Sequence, residues 1–282
     1  MYRKSLFDNL VVTDLEGALF QSKSTNPKGL YPMIETSNGR VEGWATEEQA
    51  QRWDTLRYEA FCVGYTSFSE PQVSRVTGWD PLHEHQLMLA DHGMTLLYRD
   101  LSGKNRWEVI EDWSRPYLEK ARANAKVLQY DGARLYFEIM KHLPELVQHQ
   151  GKMLYPKLPM PSGSVEGMYY VIRANGFFQA MAREGRPERV IRFKELLAEH
   201  LEWCEGRYNY FEWEGTYAFV PAWASRSEVL NRFFAVVQGR EMQLDTRLAK
   251  ALRDIGVPKV VLAEHRAQQT PLPVESTAKH IS

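Results

Sequence analysis

The stretch LVVTDLEGAL, from Leu10 to Leu19, decides how this chain is interpreted. It opens on a short apolar and β-branched run, which is typical of a strand that is covered on both faces. Two carboxylates follow it, Asp14 and Glu16, and a glycine comes directly after them. We therefore predict a buried strand that presents two acids at its carboxyl end.

The composition bounds the class of protein. The chain has 282 residues, 44% of them hydrophobic and 25% charged, which is enough for one large globular domain or two ordinary ones. A net charge of -1 gives no overall field that would attract nucleic acid or an anionic membrane. Two distant cysteines favour a reducing compartment. With no signal-like or spanning apolar run, the expected location is the cytoplasm, with neither membrane nor nucleic acid polymer as partner.

The first hundred residues alternate between strand and helix patterns. Leu10–Thr13 and Ala60–Gly64 are short apolar runs, and a helix capped by Thr46 is expected between them. The sequence DHG (91–93) separates two further strand patterns, as a tight turn does between antiparallel strands. This order predicts an α/β fold with a Rossmann-like core and a parallel sheet.

The middle of the chain has a different pattern. Helical patterns cover Trp107–Lys126, Asp131–His149 and the amphipathic segment Arg186–Cys204, and an aromatic hairpin pattern covers Tyr208–Val220. We predict a separate α+β domain over residues 106–214, inserted into the first one. The core would then consist of residues 1–105 and 215–263, followed by a flexible tail over 264–282.

The predicted strand ends bring reactive residue types to one edge of the sheet, where ligands of open α/β sheets bind. Thr66 follows the second apolar run as Asp14 follows the first. Asp14 would attack a phosphoryl group held between them and form an aspartyl-phosphate. Glu16 would protonate the leaving oxygen and then activate water. Because two acids repel a phosphate dianion, a divalent cation is required, and Mg2+ prefers carboxylate and carbonyl oxygens.

A resemblance to a known family adds to this interpretation. VVTDLEGAL (11–19) resembles the first motif of the haloacid dehalogenase (HAD) superfamily, an apolar strand followed by Asp-x-Asp-Gly-Thr, here with glutamate as the second acid. TSFSEPQVSRV (66–76) is similar to the second-motif segment of the Cof-like, sugar-phosphatase-like branch, with Thr66 as the hydroxyl and Phe68 in place of an arginine. LADHGMTLL (89–97) resembles the hairpin that follows there. The inserted domain matches a type-2 cap by position.

The other two motifs are less complete. VPAWASRSEV (220–229) places Arg226 where the family has a lysine, and LDTRLA (244–249) is the nearest match to Gly-Asp-Ser-x-x-Asp. That fourth motif lacks its glycine and its second acid. The resemblance implies the following site. Catalytic residues would be Asp14, Glu16, Thr66 and Arg226; substrate-binding residues Gly17, Thr66, Ser67 and Arg226; and Mg2+ ligands Asp14, Asp245 and the main-chain carbonyl of Glu16.

The sequence therefore predicts a Mg2+-dependent phosphatase that acts on a small phosphorylated metabolite, such as a sugar or nucleotide phosphate. Two alternatives stay open. The degenerate fourth motif is what a HAD-like binding or regulatory protein would show, and a phosphotransferase would use the same nucleophile with another acceptor. Plainer roles compete at single positions: Asp14 or Asp245 as a cap, Thr66 as a helix-start hydroxyl, and Arg226 as a surface charge.

Two further patterns have both a structural and a functional interpretation. HEH (83–85) has the spacing of side chains on one face of a strand and invites a metal-binding hypothesis, although no third ligand is evident. YNYFEW (208–213) alternates aromatic and polar residues, which usually packs one face of a sheet but also fits stacking on a base or a sugar.

Overall fold

The structure is a computed structural model that describes residues 10–22, 31–35, 41–148, 152–154, 169–213 and 215–237. In these ranges the strands and helices follow one another along the chain in this order: β1 Leu10–Asp14, β2 Gln21–Ser22, β3 Tyr31–Glu35, β4 Val41–Ala45, α1 Glu47–Glu59, β5 Phe61–Tyr65, α2 Glu70–Val73, β6 His85–Ala90, β7 Thr95–Asp100, β8 Trp107–Val109, α3 Glu111–His142, α4 Glu145–Gln148, β9 Lys152–Leu154, β10 Tyr170–Arg173, α5 Asn175–Arg183, α6 Pro187–Trp203, β11 Tyr208–Trp213, β12 Thr216–Pro221 and α7 Arg226–Val237. No described helix is both long enough and apolar enough to cross a membrane.

The main sheet has the strand order β1-β5-β6-β7-β8. The first three strands are parallel, and β7 and β8 are added to them in antiparallel pairing. The register sets Asp14 opposite Tyr65 and Tyr65 opposite Leu89, so the carboxyl ends of three parallel strands lie at one edge. The α/β fold is confirmed, with a central sheet that is parallel over β1, β5 and β6 and antiparallel beyond them.

The two faces of this sheet are covered by different helices, because neighbouring residues of a strand point to opposite sides. Leu10 and Val12 face the core under α3 and α7, whereas Val11 faces the core on the side of α1. Burial on both faces explains why β1 and β5 are short, almost wholly apolar runs. Helix α1 begins after Thr46, as predicted, and Gln49 completes a capping box with that threonine.

The turn between β6 and β7 is a tight one, as the sequence predicts. Asp91, His92 and Gly93 all have positive φ, with values of 51°, 55° and 85°. A Cβ atom at position 93 would lie 2.3 Å from Cγ1 of Val229, so glycine allows α7 to pack directly against this turn. The turn thereby fixes where the first residues of α7 lie relative to the main sheet.

A second sheet has the order β11-β12-β10-β9 and is antiparallel throughout. One face carries Tyr170, Tyr217 and Phe219 and packs against helices α3, α5 and α6. The opposite face carries Val171 and Val220 and packs against the core of the main sheet. We call this sheet, with α4, α5, α6 and the C-terminal half of α3, the second unit.

Helix α3 differs from the two separate helices that the sequence indicates. The segment Trp107–Val109 is strand β8, and one continuous helix then runs from Glu111 to His142. The Asp131–Gly132 pair lies in the middle of this helix and would ordinarily weaken it. Both residues are buried there, and the Asp131 carboxylate accepts hydrogen bonds from Arg207 and from Tyr208. Tertiary contacts therefore override the local preference.

Candidate active site

The candidate site lies at the carboxyl ends of β1 and β5. Asp14 is the last residue of β1, and Tyr65 ends β5 directly opposite it. The main-chain N–H of Leu15 donates to the carbonyl of Tyr65 at 2.9 Å, which keeps the two chain segments together beyond the strand ends. Residues that follow the two strands, Glu16 on one side and Thr66 on the other, consequently enter the same region.

Asp14 and Arg226 form an ion pair across this edge. The distance from Nη2 of Arg226 to Oδ2 of Asp14 is 3.0 Å, and the side chains are 24% and 13% exposed. Arg226 is the first residue of α7, and its guanidinium lies 5.2 Å from the ring centroid of Tyr65. The aromatic ring and the carboxylate together hold the arginine over the end of β5. Arg226 is therefore a member of the site and not a solvated surface charge.

Glu16 is held by Ser67. Its Oε1 accepts a hydrogen bond from the main-chain N–H of Ser67 at 2.9 Å and another from the Ser67 hydroxyl. Burial of the carboxyl group raises the pKa of Glu16, and the hydrogen bonds from Ser67 and Thr66 act against that rise. The result is a glutamate that takes up a proton more readily than a solvated one, at a fixed place beside Asp14.

Thr66 is buried, and its contacts are mostly internal to the site. Its Oγ1 accepts from the main-chain N–H of Phe68 at 3.0 Å, and its carbonyl accepts from the N–H of His92 at 2.9 Å. The hydroxyl thus closes a turn before α2, whose N-cap is Ser69, so Thr66 does not have the helix-start role that the sequence left open. It also acts on Glu16 through a hydrogen bond that lowers the pKa of that group. Thr66 therefore stabilises the turn that follows β5.

Gly17 closes the loop that follows the two acids. It is exposed, has a φ of 79°, and its N–H donates to the carbonyl of Phe20 at 2.8 Å. Its own carbonyl accepts from Nε2 of Gln49 at 3.0 Å. Gln49 was missed as a site residue, although the spacing from Thr46 to Gln49 is the signal of a capping box. The start of α1 is thereby tied to the loop after Asp14.

Two aromatic contacts near the site could not be found from local patterns. The hydroxyl of Tyr65 donates to the carbonyl of His92 at 2.9 Å, and the hydroxyl of Tyr169 donates to the carbonyl of Ser67 at 3.0 Å. The His92 ring lies edge to face with Tyr169 and stacks on Phe211, at centroid distances of 4.8 Å and 5.2 Å. Residues of the second unit therefore touch the site directly.

The histidines of the HEH sequence have structural partners. Nε2 of His83 lies 3.2 Å from the carbonyl of Ala60, and Nδ1 of His85 lies 2.9 Å from the hydroxyl of Tyr98. Over the described ranges, no group of three or more His, Cys, Asp or Glu side chains is placed to hold a metal ion. Asp245 and the rest of LDTRLA (244–249) lie outside the described residues.

The oxygen donors at the strand ends still fit Mg2+. This cation commonly uses one or two protein carboxylates, with waters and substrate phosphate oxygens completing its six positions. The Asp14 carboxylate and the main-chain carbonyl of Glu16 are such donors, whereas the Glu16 side chain is engaged by Ser67. These two protein oxygens would therefore be sufficient among the described residues, with water and substrate oxygens in the remaining positions.

No protein-family model matches this chain, and no curated protein matches it. Among solved structures, it resembles an N-terminally truncated, IMP-bound IMP-nucleotidase of Plasmodium falciparum, with 11% identity over 90% of this chain and 69% of the other, at a TM-score of 0.44. It spans 58% of a second chain of that nucleotidase.

Two further solved structures resemble the chain at a similar level. The C-terminal domain of a trehalose synthase regulatory protein of Candida albicans gives 9% identity over 93% of this chain and 72% of the other, at a TM-score of 0.42. A trehalose-6-phosphate phosphatase of Aspergillus fumigatus gives 11% identity over 95% and 86%, at a TM-score of 0.31. Likenesses at these identities and TM-scores assign neither activity nor substrate to this chain.

Proposed function

We propose that this chain is a HAD-type phosphatase that hydrolyses the monoester of a small phosphorylated metabolite. The observation that carries the proposal is the meeting of Asp14 with Arg226 at 3.0 Å, beside a glutamate held by Ser67, at the carboxyl ends of two parallel strands. Ligands of open α/β sheets bind at this edge. The resemblance of VVTDLEGAL (11–19) to the first HAD motif supports the same assignment.

In the first step, a carboxylate oxygen of Asp14 attacks phosphorus, and the bond from phosphorus to the ester oxygen breaks. Glu16 gives its proton to the departing oxygen. The raised pKa of Glu16, caused by burial, favours the protonated form that this step requires. Arg226 neutralises charge between the carboxylate and the incoming phosphate dianion, which would otherwise repel each other.

In the second step, Glu16 is a carboxylate and accepts a proton from water. The water oxygen attacks phosphorus, the bond from phosphorus to Asp14 breaks, and inorganic phosphate leaves. Asp14 returns as a carboxylate and Glu16 as a carboxylic acid, so both residues are restored. Ser67 steadies the carboxylate state of Glu16 between the two steps through its N–H and hydroxyl.

Mg2+ belongs to this proposal as the cofactor. Asp14 and the main-chain carbonyl of Glu16 would hold it, and we propose Asp245, outside the described residues, as a third ligand. When bound, it supplies positive charge to the phosphoryl oxygens. We propose that the second unit, which takes in most of the cap predicted over residues 106–214 together with β12, excludes water and selects the leaving group. A sugar or nucleotide phosphate is proposed as the substrate.

The proposal is tested with p-nitrophenyl phosphate and a panel of phosphorylated sugars and nucleotides, each with Mg2+ and with EDTA. Phosphate release should depend on Mg2+ and be lost in Asp14→Asn. Asp54→Asn is the matched control, because Asp54 is a half-exposed residue of α1 whose ion pair is with Arg57. Absence of phosphate release from every compound tested, or full activity in Asp14→Asn, would contradict the proposal.

A further inference from the structure

Gly93 is the point at which the first turn of α7 contacts the main sheet. A Cβ atom at this position would lie 2.3 Å from Cγ1 of Val229 and 3.0 Å from Cε2 of Tyr65. Ordinary contacts between carbon atoms are about 3.5–4.0 Å long, so any side chain here would displace the helix or the ring. The glycine therefore sets how closely α7 approaches the end of β5.

The two groups that Gly93 contacts are the ones that hold Arg226 in position. Val229 lies three residues after Arg226, on the same side of α7. The ring of Tyr65 lies 5.2 Å from the Arg226 guanidinium. A change in how α7 packs on Gly93 would consequently move the guanidinium relative to Asp14.

The turn that contains Gly93 is held from two sides. The carbonyl of Gly93 accepts from Nε1 of Trp113, and the carbonyl of His92 accepts from the hydroxyl of Tyr65, both at 2.9 Å. The guanidinium of Arg232, on α7, lies 4.3 Å from the ring centroid of Trp113 and donates to the Trp113 carbonyl. Trp113 thus binds both the turn and the helix that packs on it.

We propose that Gly93 is a positioning residue, which allows α7 to approach the sheet to the depth at which Arg226 meets Asp14. An added methyl group would move the helix outward by about 1 Å, the difference between 2.3 Å and an ordinary contact. The distance of 3.0 Å between Arg226 and Asp14 would then exceed the range of a hydrogen bond, about 2.7–3.2 Å. The catalytic meaning of this contact rests on the proposed function, whereas its geometry does not.

The first test measures the position of Arg226 without any substrate. The Nε–H signal of Arg226 is followed by NMR of the 15N-labelled protein and is assigned by its loss in Arg226→Lys. In Gly93→Ala this signal should move, because the guanidinium leaves its position over the Tyr65 ring. The signal of Arg57, which pairs with Asp54 on α1, should not move and is the internal reference.

Gly185→Ala is the matched control for this test. Gly185 also has a positive φ, 65° against 85° at Gly93, but a Cβ atom there would have nothing within 4 Å. The control therefore introduces the backbone strain of a side chain at positive φ without a clash. Its Arg226 signal should match that of the unmodified protein. Equal signals in Gly93→Ala and Gly185→Ala would overturn the proposal.

Two changes at Val229 examine the same contact from the side of the helix. In Gly93→Ala, Val229→Ala, the Cγ1 atom that meets the new methyl group is gone, so the Arg226 signal should return towards its original position. Val229→Leu crowds the contact while the glycine is kept, and it should move the signal even if Gly93→Ala does not fold. An unchanged signal in Val229→Leu would overturn the proposal.

The second test uses phosphate release in two backgrounds. In the unmodified protein, Gly93→Ala should lower kcat/KM by about tenfold to about a hundredfold, the range that a displacement of about 1 Å produces. In Arg226→Gln, the same change should alter kcat/KM by about twofold or less, because the charge that it displaces is already gone. A merely structural role would give the same factor in both backgrounds, and equal factors would overturn the proposal.

The two tests separate this proposal from the proposed function. If no substrate is turned over but the Arg226 signal moves in Gly93→Ala and not in Gly185→Ala, the proposed function fails and the positioning role of Gly93 stands. If phosphate is released and the signal does not move, the proposed function stands and the positioning role fails.

Discussion

Two ion pairs of this molecule have the same composition, an aspartate and an arginine, but lie in different surroundings. Asp131, in the middle of α3, is 1% exposed and accepts from Nε and Nη2 of Arg207 at 3.1 Å and 3.4 Å, and from the hydroxyl of Tyr208 at 2.9 Å. Asp14 ends a parallel strand, meets Arg226 at 3.0 Å, and is accompanied by a second acid.

The difference in surroundings agrees with the roles proposed for the two pairs, structural for Asp131 and reactive for Asp14. The donors around Asp131 belong to β11 and to the turn before it, which pack against α3 across a core, so the carboxylate ties the helix to the sheet. Asp14 lies instead at the sheet edge where ligands bind, beside a glutamate whose pKa is raised by burial. Under the proposed function, the position of each pair in the fold decides its use.

The largest expected effect is on activity. Asp14→Asn should lower phosphate release roughly a thousandfold or more, because it removes the attacking oxygen anion. The free energy of unfolding should change by only about 1 kcal/mol, since this pair lies at a partly exposed edge. Steady-state kinetics and urea denaturation of the same preparation measure both. A large loss of stability with retained activity would place Asp14 in the structural class.

The main sheet and the second unit each contain a buried histidine, His92 and His200. Both histidines should make the protein sensitive to acid. Burial lowers the pKa of His92 to about 4, and burial with the charges of Arg134 and Arg207 lowers the pKa of His200 to about 4. The unfolded chain binds these protons near pH 6.5, so stability is complete above that pH and is lost as the pH falls towards 4. The full effect is on the order of 3 kcal/mol per histidine.

Denaturation at pH 7.5, 6, 5 and 4.5 checks this dependence. His92→Gln and His200→Gln should each flatten the fall in unfolding free energy between pH 6.5 and 4.5. His142→Gln serves as the control, because His142 is partly exposed at the end of α3. Curves of equal slope in all four proteins would show that neither buried histidine is responsible.

For the structural pair the expectation is reversed. Asp131→Asn should destabilise the fold by about 2–3 kcal/mol, because it weakens the contacts of a buried carboxylate with Arg207 and Tyr208. Activity per folded molecule should stay within about twofold, since Asp131 does not reach the strand ends. Asp54→Asn weakens the ion pair of an exposed carboxylate with Arg57 on α1 and should lower the free energy of unfolding by about 1 kcal/mol or less. Urea midpoints, compared at constant m-value, measure the loss of stability in both variants.

The smallest expected effect concerns the geometry of the charge at position 226. Arg226→Lys should keep activity within about tenfold, because an ammonium still neutralises charge beside Asp14 but cannot form the same planar contact with Tyr65. Arg226→Gln, which has no charge, should lose about a hundredfold in kcat/KM. If both variants lose equally, the planar contact matters more than the charge.

Much of the main sheet could be predicted, because its signals are local. The apolar runs of β1 and β5, the Thr46 cap and the DHG turn are each specified within a few residues. The continuous helix α3 could not, because the Asp131–Gly132 pair locally favours a break and only distant partners stabilise it there. Local preference is a small free energy that tertiary contacts can outweigh.

The site divides in the same way. Asp14 and Glu16 follow from the short pattern around one strand end, and Arg226 from a motif resemblance. Tyr169 was missed, because its only signal is a contact between two units that are far apart along the chain. The role of Asp245 stays a prediction, since it lies outside the described residues.

By itself, the sequence determined the buried strands β1 and β5, the start of α1, the DHG turn, and the two acids that stand at a strand end. Periodicity, caps and turns act between neighbours, so they can be recognised in a single chain. Only the tertiary structure decided that Arg226 faces Asp14, that Ser67 holds Glu16, and that Tyr169 anchors Ser67. Such pairings depend on how packed surfaces bring distant residues within about 3 Å, the reach of a hydrogen bond, which no local pattern encodes.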